Sequence, residues 1–384
     1  MKCLSRLTVT ALVLSACVPL MSFSADLKLG FITSLSGPAS SLGIPYAKGL
    51  QAAMAYKPDV DGKKVQVIQL DDASDPTTAA RNARKLIVED NVDALIGTAG
   101  TPSGLAINGV AREFKVPFIS IAQSKVDGED GAWMVTVPQS APLMIDAVVD
   151  HMKRTGVRTV AYIGFSDAWG DLVYDALIAA AGPAGIKVVT NERYARADSS
   201  VTGQVLKIVA ARPDAVLAGT SGTPGALPYL ALSARGYGGK IYGTHGIINP
   251  DFIRVGGASV EGLLAPTGPV VVAEQLPVNH PSRKVALDFR AVYQKTFQLA
   301  PTDAFAPYAF DAWLIFTDAA QRAMAKKQPG TPEFRVALRD AVTSTKELVG
   351  TQGVYNFRPD NRFGSDQRAV VMVRLEKGQW KYLP

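Results

Sequence analysis

From Leu27 onward, strand-like apolar runs alternate with stretches of helical period. Residues 28–32, 64–70 and 94–96 predict strands, and residues 49–56 and 79–89 between them predict helices. The rhythm continues with a helix at 104–114 and a strand at 117–121. A fresh set begins near Ala141, with helices at 144–154, 172–181 and 201–211 and strands at 159–164, 187–190 and 214–218. This is the βαβ pattern of a parallel sheet, and two similar α/β units follow each other in tandem.

Each unit reaches a near-identical hexapeptide. GTAGTP occupies residues 97–102 and GTSGTP residues 219–224; each follows a short, unbroken apolar run and precedes a helical stretch. Pro102 and Pro224 suit the first helical position, with Thr101 and Thr223 as caps. In a parallel sheet the ligand-facing loops lie at the carboxyl ends of the strands. The two copies are therefore expected to offer small hydroxyls and free helix amides to one small polar or anionic group. The plainer reading is that glycine and threonine only make tight turns, but the matched pair favours a site. Each unit then returns through a helix and a strand to a second polar loop: Ala122, Gln123 and Ser124 in the first, Thr244, His245 and Gly246 in the second. Counted from the first glycine of each hexapeptide, the spacings to Ser124 and His245 differ by one residue. Facing edges of this kind make a cleft.

Composition admits this architecture. A chain of 384 residues, 47% hydrophobic and 19% charged, is long enough for two α/β domains with cores of their own. The formal charge of +6 falls to +4 without Lys2 and Arg6, and the basic residues are scattered, so no nucleic acid is implied. Lys2 and Arg6 precede an apolar stretch over residues 7–21, followed by Ser22, Phe23 and Ser24. That is the pattern of a signal peptide spanning residues 1–24, cleaved before Ala25. The stretch is shorter than a membrane span and is interrupted by Pro19. Residues 14–17, LSAC, also resemble a lipobox that would lipidate Cys17, although the apolar residues 18–21 are unlike a lipoprotein's polar tether. Cleavage after Ser24 removes Cys3 and Cys17, leaving no disulfide, thiolate nucleophile or cysteine metal site.

Motifs for chemistry are absent. No GxSxG elbow, HExxH helix, GxxxxGK[ST] loop or GxGxxG turn occurs, and His151, His245 and His280 are too dispersed for an obvious metal cluster. Asp71 and Asp72 could serve as general acid or base. Their expected role is to cap the helix that starts near Pro76 and its neighbouring turn.

The order and spacing of several short stretches point further. Ser36, Gly37 and Pro38; residues 71–76, DDASDP; the ungapped run 97–124; Trp169 and Gly170; Glu261 and Gly262; and the aromatic segment 305–313 together make a pattern. By these residues the chain resembles the bacterial leucine/isoleucine/valine-binding proteins, the type I periplasmic solute-binding receptors of branched-chain-type ABC importers. The resemblance covers the whole mature chain. It implies two Rossmann-like lobes with parallel central sheets joined by a three-segment hinge. Residues 25–143 with about 270–350 would form the first lobe, and 144–269 with about 351–384 the second. It also implies a periplasmic monomer with no cofactor, an inner-membrane ABC permease as partner, and no reaction on the ligand.

Residue roles follow from the same resemblance. The family's first-lobe disulfide corresponds to Ser74 and Gly100, replaced together. The hydroxyls that bind the ligand carboxylate correspond to Ser103 and Ser124, and the carbonyl that accepts from its amino group to Ala122, next to Gln123. Ser103 at a helix start suits an anion on physical grounds as well, although it could simply cap the helix. Trp169 corresponds to the aromatic cover from the second lobe, or merely packs on its loop. Leu42 replaces a rim aromatic, Ser221 a second-lobe tyrosine, and Phe305 opens the aromatic segment. His245 stands where the family places the glutamate that neutralises the ligand's ammonium.

Imidazole is a poor counter-ion for an ammonium, and a buried ammonium without an anion costs several kcal/mol. His245 could instead donate to a carboxylate, phenol or keto oxygen, or be satisfied by nearby backbone. A small carboxylate without an α-ammonium, such as an aromatic or oxo acid, is therefore expected over a branched-chain amino acid, unless Asp167 or another acid replaces the glutamate. A sensory module of the same fold and a periplasmic enzyme using His245 with Asp167 are the alternatives.

Overall fold

The computed structural model describes residues 27–384. The expected signal peptide and cleavage site, and Cys17, lie outside the described residues. The first sheet comprises β1 (Leu27–Thr33), β2 (Asp59–Val60), β3 (Lys63–Asp71), β4 (Ala94–Gly97), β5 (Phe118–Ser120) and β6 (Met134–Thr136), in the order β2-β3-β1-β4-β5-β6. In the second, β7 (Thr159–Phe165), β8 (Lys187–Tyr194), β9 (Ala215–Gly219), β10 (Lys240–Tyr242) and β11 (Leu264–Thr267) run parallel. After a short hairpin, β12 (Leu348–Val349) and β13 (Val354–Tyr355), the strands β14 (Val371–Glu376) and β15 (Gln379–Leu383) join its edge antiparallel. The resulting order is β15-β14-β11-β10-β9-β7-β8.

Both parallel cores reverse their strand order at the same relative place, between β1 and β4 and between β7 and β9. Connections leave such a point on opposite faces of the sheet, which opens a crevice at the carboxyl ends of the strands. Each hexapeptide begins on the last residue of the strand that borders this crevice, β4 or β9. The α/β expectation of two tandem units thus corresponds to two sheets of like topology.

Helices α1 (Ser40–Tyr56), α2 (Pro76–Val88), α3 (Thr101–Phe114), α4 (Ala141–Arg154), α5 (Ala168–Ala181), α6 (Thr202–Ala211), α7 (Leu227–Ala234) and α8 (Pro250–Gly256) alternate with the strands. They are followed by α9 (Arg283–Phe297), α10 (Phe305–Met324) and α11 (Pro332–Thr343). Helix α10 is buried along most of its length and packs along α1. Gly49 permits that approach, because a side chain there would overlap the Ala306 carbonyl. Among the described residues no helix is long and apolar enough to cross a membrane.

Local differences from the expected elements have physical causes. α1 begins at Ser40, well before residue 49, and runs through Gly43 and Pro45, which interrupt its period. Gly100 and Gly222 are the caps of the two hexapeptides; Thr101 and Thr223 open the helical turns, and each proline stands second. The copies also diverge in backbone, with Gly100 at φ −116° and Gly222 at φ +61°, a conformation suited to glycine. The acid that caps α2 is Asp75, which accepts from the Thr78 amide. Asp71 and Asp72 are structural in a different way. Asp71 accepts from the Leu35 and Ala73 amides and the Ser36 hydroxyl, and Asp72 from Ser34, the Ser74 amide and Thr98. They tie together the loops after β1, β3 and β4.

The chain passes between the sheets three times: between β6 and α4, after β11, and between β13 and β14. Buried amides clasp these passages. Gln139 donates to the carbonyls of Gln352 (3.1 Å) and Ala369 (2.7 Å) and accepts from the Tyr308 hydroxyl at 2.6 Å. Any side chain at Gly268 would overlap the Gln352 carboxamide. Asp311 on α10 accepts from the amides of Thr351 (2.7 Å) and Gln352 (2.9 Å) and from the Tyr355 hydroxyl at 2.8 Å.

Candidate ligand-binding site

A small cavity of about 30 Å³ lies between the two crevices. From the first lobe it is lined by Leu42 and Tyr46 on α1, Ala99 and Thr101 of the first hexapeptide, Ile121, Ala122 and Gln123 after β5, Pro138, and Phe305 at the start of α10. The second lobe contributes Trp169 at the start of α5, Arg196 after β8, Ser221 of the second hexapeptide, and His245 and Gly246 after β10. The lobes touch at the rim. The Thr223 amide donates to Ser41 Oγ at 3.3 Å, and the Tyr308 ring lies edge-on to His245 with centroids 6.2 Å apart. The space holds only a water or two, so a ligand of several heavy atoms enters by parting the lobes.

Seven of the nine residues singled out by sequence meet in this wall: Leu42, Ala122, Gln123, Trp169, Ser221, His245 and Phe305. Ser103 and Ser124 are buried but stand outside the lining. Ser124 Oγ accepts from Ser120 at 3.2 Å, and it packs so closely beneath α3 that a side chain at Gly104 would overlap it. Thr101, two residues before Ser103, faces the cavity instead.

Sequence reasoning missed Tyr46 and Arg196. Tyr46 donates to the Ile121 carbonyl at 2.7 Å and meets Phe305 edge-on, bracing the apolar side of the wall. Arg196 belongs to no motif; the available signal was its place in the loop at the carboxyl end of β8, where ligand-facing residues gather.

Several buried polar atoms in this wall have no protein partner: Nε2 and Oε1 of Gln123, Nε1 of Trp169 and Nδ1 of His245. Each such atom costs about 1–3 kcal/mol when closure removes it from water. The indole N–H is a donor only, so it asks for an acceptor. No lining residue is acidic. The nearby Asp167 is already engaged: one oxygen accepts the Trp169 and Gly170 amides at the start of α5, and the other accepts Arg196 Nε at 2.6 Å. Its hydrogen bonds do not include His245, so the pairing that a His–Asp enzyme would use is not made.

Burial pulls the His245 imidazole down to about 4. It is therefore neutral at pH 7, and its ring stands edge-on to Trp169 with centroids 5.5 Å apart. An unfolded chain takes up this proton near pH 6.5 whereas the folded one resists until about 4, so folding stability falls as pH drops through that window. The expected loss from this group is about 3 kcal/mol at pH 4. Urea denaturation of the wild type and His245→Gln between pH 7 and 4 measures it: the variant should show the shallower decline.

A larger cavity, about 530 Å³, lies elsewhere, among Arg254, Glu274, Arg290 and Trp380, and none of the sequence-derived candidates reaches it.

Comparison with known proteins places this geometry. The periplasmic binding protein family model matches residues 26–379. An extracellular ligand-binding receptor from Rhodopseudomonas palustris HaA2 superposes with a TM-score of 0.89 at 40% identity, over 94% of this chain and 100% of that one. The Leu/Ile/Val-binding protein BraC3 of Rhizobium johnstonii is 25% identical over 90% of each chain. A solute-binding protein from R. palustris in complex with benzoate superposes with a TM-score of 0.78 over 94% of this chain and 96% of that one; at 20% identity it shows the fold alone. With the family match spanning nearly all the described residues, the chain belongs to the periplasmic binding protein family, of the leucine/isoleucine/valine-binding type.

Proposed function

We propose that this protein is the solute receptor of an ABC importer and closes its two lobes, which meet at the three chain passages, on a small organic carboxylate that lacks an α-ammonium. Aromatic and 2-oxo acids are favoured over branched-chain amino acids. The observation that carries the reading is the cavity wall, which holds the unpaired Trp169 and Gln123 N–H donors and no acidic residue. An ammonium would be buried there with no counter-ion, whereas carboxylate and keto oxygens would satisfy Trp169, Gln123 and His245. Asp167, the acid best placed to replace the family's glutamate, is committed to Arg196 and the start of α5. Leu42, Tyr46 and Phe305 supply the apolar surface for the rest of the ligand, while Ser124, bonded to Ser120, and the buried Ser103 stand outside the lining. That the benzoate-bound R. palustris protein shares this fold is compatible with an aromatic acid.

Closure follows from the wall's chemistry. A ligand shifts the lobes toward the closed state only by its differential affinity for that state, and parting the lobes would let water serve the atoms that the ligand must satisfy when they close.

A thermal-shift panel tests the reading by pairing leucine with 4-methyl-2-oxopentanoate and phenylalanine with phenylpyruvate, alongside benzoate and phenylacetate. At 100 times its Kd a ligand adds about 2.7 kcal/mol, a shift of about 4 °C in a chain of this size. Shifts from the oxo or aromatic acids and none from their amino partners are expected; the opposite pattern refutes the ligand class while leaving a transport role intact.

A further inference from the structure

In the second lobe, Arg196, Ser221 and Trp169 converge on the cavity. The Arg196 side chain is only 21% exposed, and its guanidinium lies 4.0 Å from the centre of the Phe165 ring, which fixes its plane. Its Nε donates to Asp167 Oδ2 at 2.6 Å, and its Nη1 to Ser221 Oγ at 2.9 Å. A guanidinium carries five N–H donors, so most of this one remains available, including both hydrogens of Nη2. Because Ser221 Oγ accepts from Arg196, its own proton is free to donate onward. Trp169, whose buried indole N–H has no partner, lines the same cavity, and Asp167 that orients Arg196 also accepts the Trp169 backbone amide at 3.0 Å.

We propose that this Asp167-braced trio, Arg196, Ser221 and Trp169, is the seat of the ligand's carboxylate and the residue set that selects for it. The inference rests on the function proposed above and reverses the orientation implied by sequence, in which first-lobe hydroxyls take the carboxylate. Arg196 and the Ser221 hydroxyl bring donors together here, and Trp169 adds a third in the same cavity. A carboxylate satisfies them with two acceptor oxygens, whereas a carboxamide brings N–H groups of its own against N–H and O–H donors. Discrimination between acid and amide is thus the signature of the seat. Asp167 offsets much of the guanidinium charge, so selectivity comes from the fixed donor directions and not from net attraction. The first lobe, with Gln123 and the apolar wall of Leu42, Tyr46 and Phe305, then receives the opposite end of the molecule.

The test is calorimetric titration of the wild type, Arg196→Gln, Arg196→Lys and Ser221→Ala with benzoate and phenylacetate and with benzamide and phenylacetamide. The wild type is expected to prefer each acid over its amide by about 100-fold or more. In Arg196→Gln that preference should fall to within about 3-fold, Arg196→Lys should lose about 10-fold in acid affinity, and Ser221→Ala about 5-fold. A merely structural Arg196 would weaken acid and amide alike and leave their ratio unchanged, which would overturn the proposal. If Arg196→Gln does not fold, unchanged acid-to-amide ratios in both Arg196→Lys and Ser221→Ala overturn it equally. A wild type that binds neither these acids nor phenylpyruvate and 4-methyl-2-oxopentanoate instead contradicts the proposed function itself, an outcome distinct from tight acid binding that ignores Arg196.

Discussion

Substituting His245 by glutamate is expected to weaken carboxylate binding by about 100-fold at pH 8 and to allow the matching amino acid to bind. His245 is 5% exposed, its Nδ1 is unpaired, and it borders the cavity between Trp169 and Tyr308. A carboxylate placed there would face the ligand's own carboxylate or keto oxygen in a dry site, and an uncompensated like charge under such conditions costs about 3 kcal/mol or more. It would also supply the anion that the wild-type wall lacks. Titration of His245→Glu with phenylpyruvate and phenylalanine checks both halves. Unchanged phenylpyruvate affinity would show that the ligand does not approach this ring.

The second large effect is on stability. Asp311→Ala is expected to lower the free energy of unfolding by about 3 kcal/mol at pH 7.5, because three buried donors lose their acceptor at once. These are the amides of Thr351 and Gln352 and the Tyr355 hydroxyl, all where the chain leaves the first lobe for the last time. The loss should grow at lower pH. Burial lifts the Asp311 carboxyl to about 6, so between the ordinary carboxylate range and that value the folded state holds a proton that the unfolded state does not. Wild-type stability from this group therefore rises as pH falls from above 6 toward 4, and the alanine variant forgoes the gain. Urea denaturation of both proteins at pH 7.5 and pH 5 gives the two differences; equal stability at pH 7.5 would show that the passage relaxes around the missing carboxylate.

What was legible in the sequence is local. The hexapeptides are visible because a strand end, a glycine turn and a helix start are encoded within six neighbouring residues. Their placement at the two crevices follows from parallel-sheet topology, which tandem βαβ units impose. Ser221 and His245 could be located because they sit in such a turn or in the loop that follows it, and Trp169 through the resemblance to the family. Arg196 could not be ranked the same way: its place arises from folding beside Phe165 and Asp167 at the end of β7 and Ser221 after β9. The clasp of Gln139 on Gln352 joins positions 213 residues apart and carries no local signal. The caps moved by one residue for a similar reason: Thr101 and Gly100 are both plausible from composition, and backbone geometry decides between them.

The same distinction separates the two lobes' roles. The first hexapeptide keeps the hydroxyls expected of a carboxylate site, yet Ser103 and Ser124 stand behind the wall. The second hexapeptide opens at Gly222 with a left-handed turn, and its Ser221 joins Arg196 in the cavity. On the proposal above, ligand choice resides in residues of the second lobe that only the folded chain brings together.

Calorimetric titration of the wild-type protein with phenylpyruvate and phenylalanine, run side by side at pH 7.5, tests the central claim most directly, since the two differ only in exchanging a keto oxygen for an ammonium. Phenylpyruvate is expected to bind at least about 100-fold more tightly, the equivalent of about 2.7 kcal/mol. Equal affinity, or a preference for phenylalanine, would contradict it.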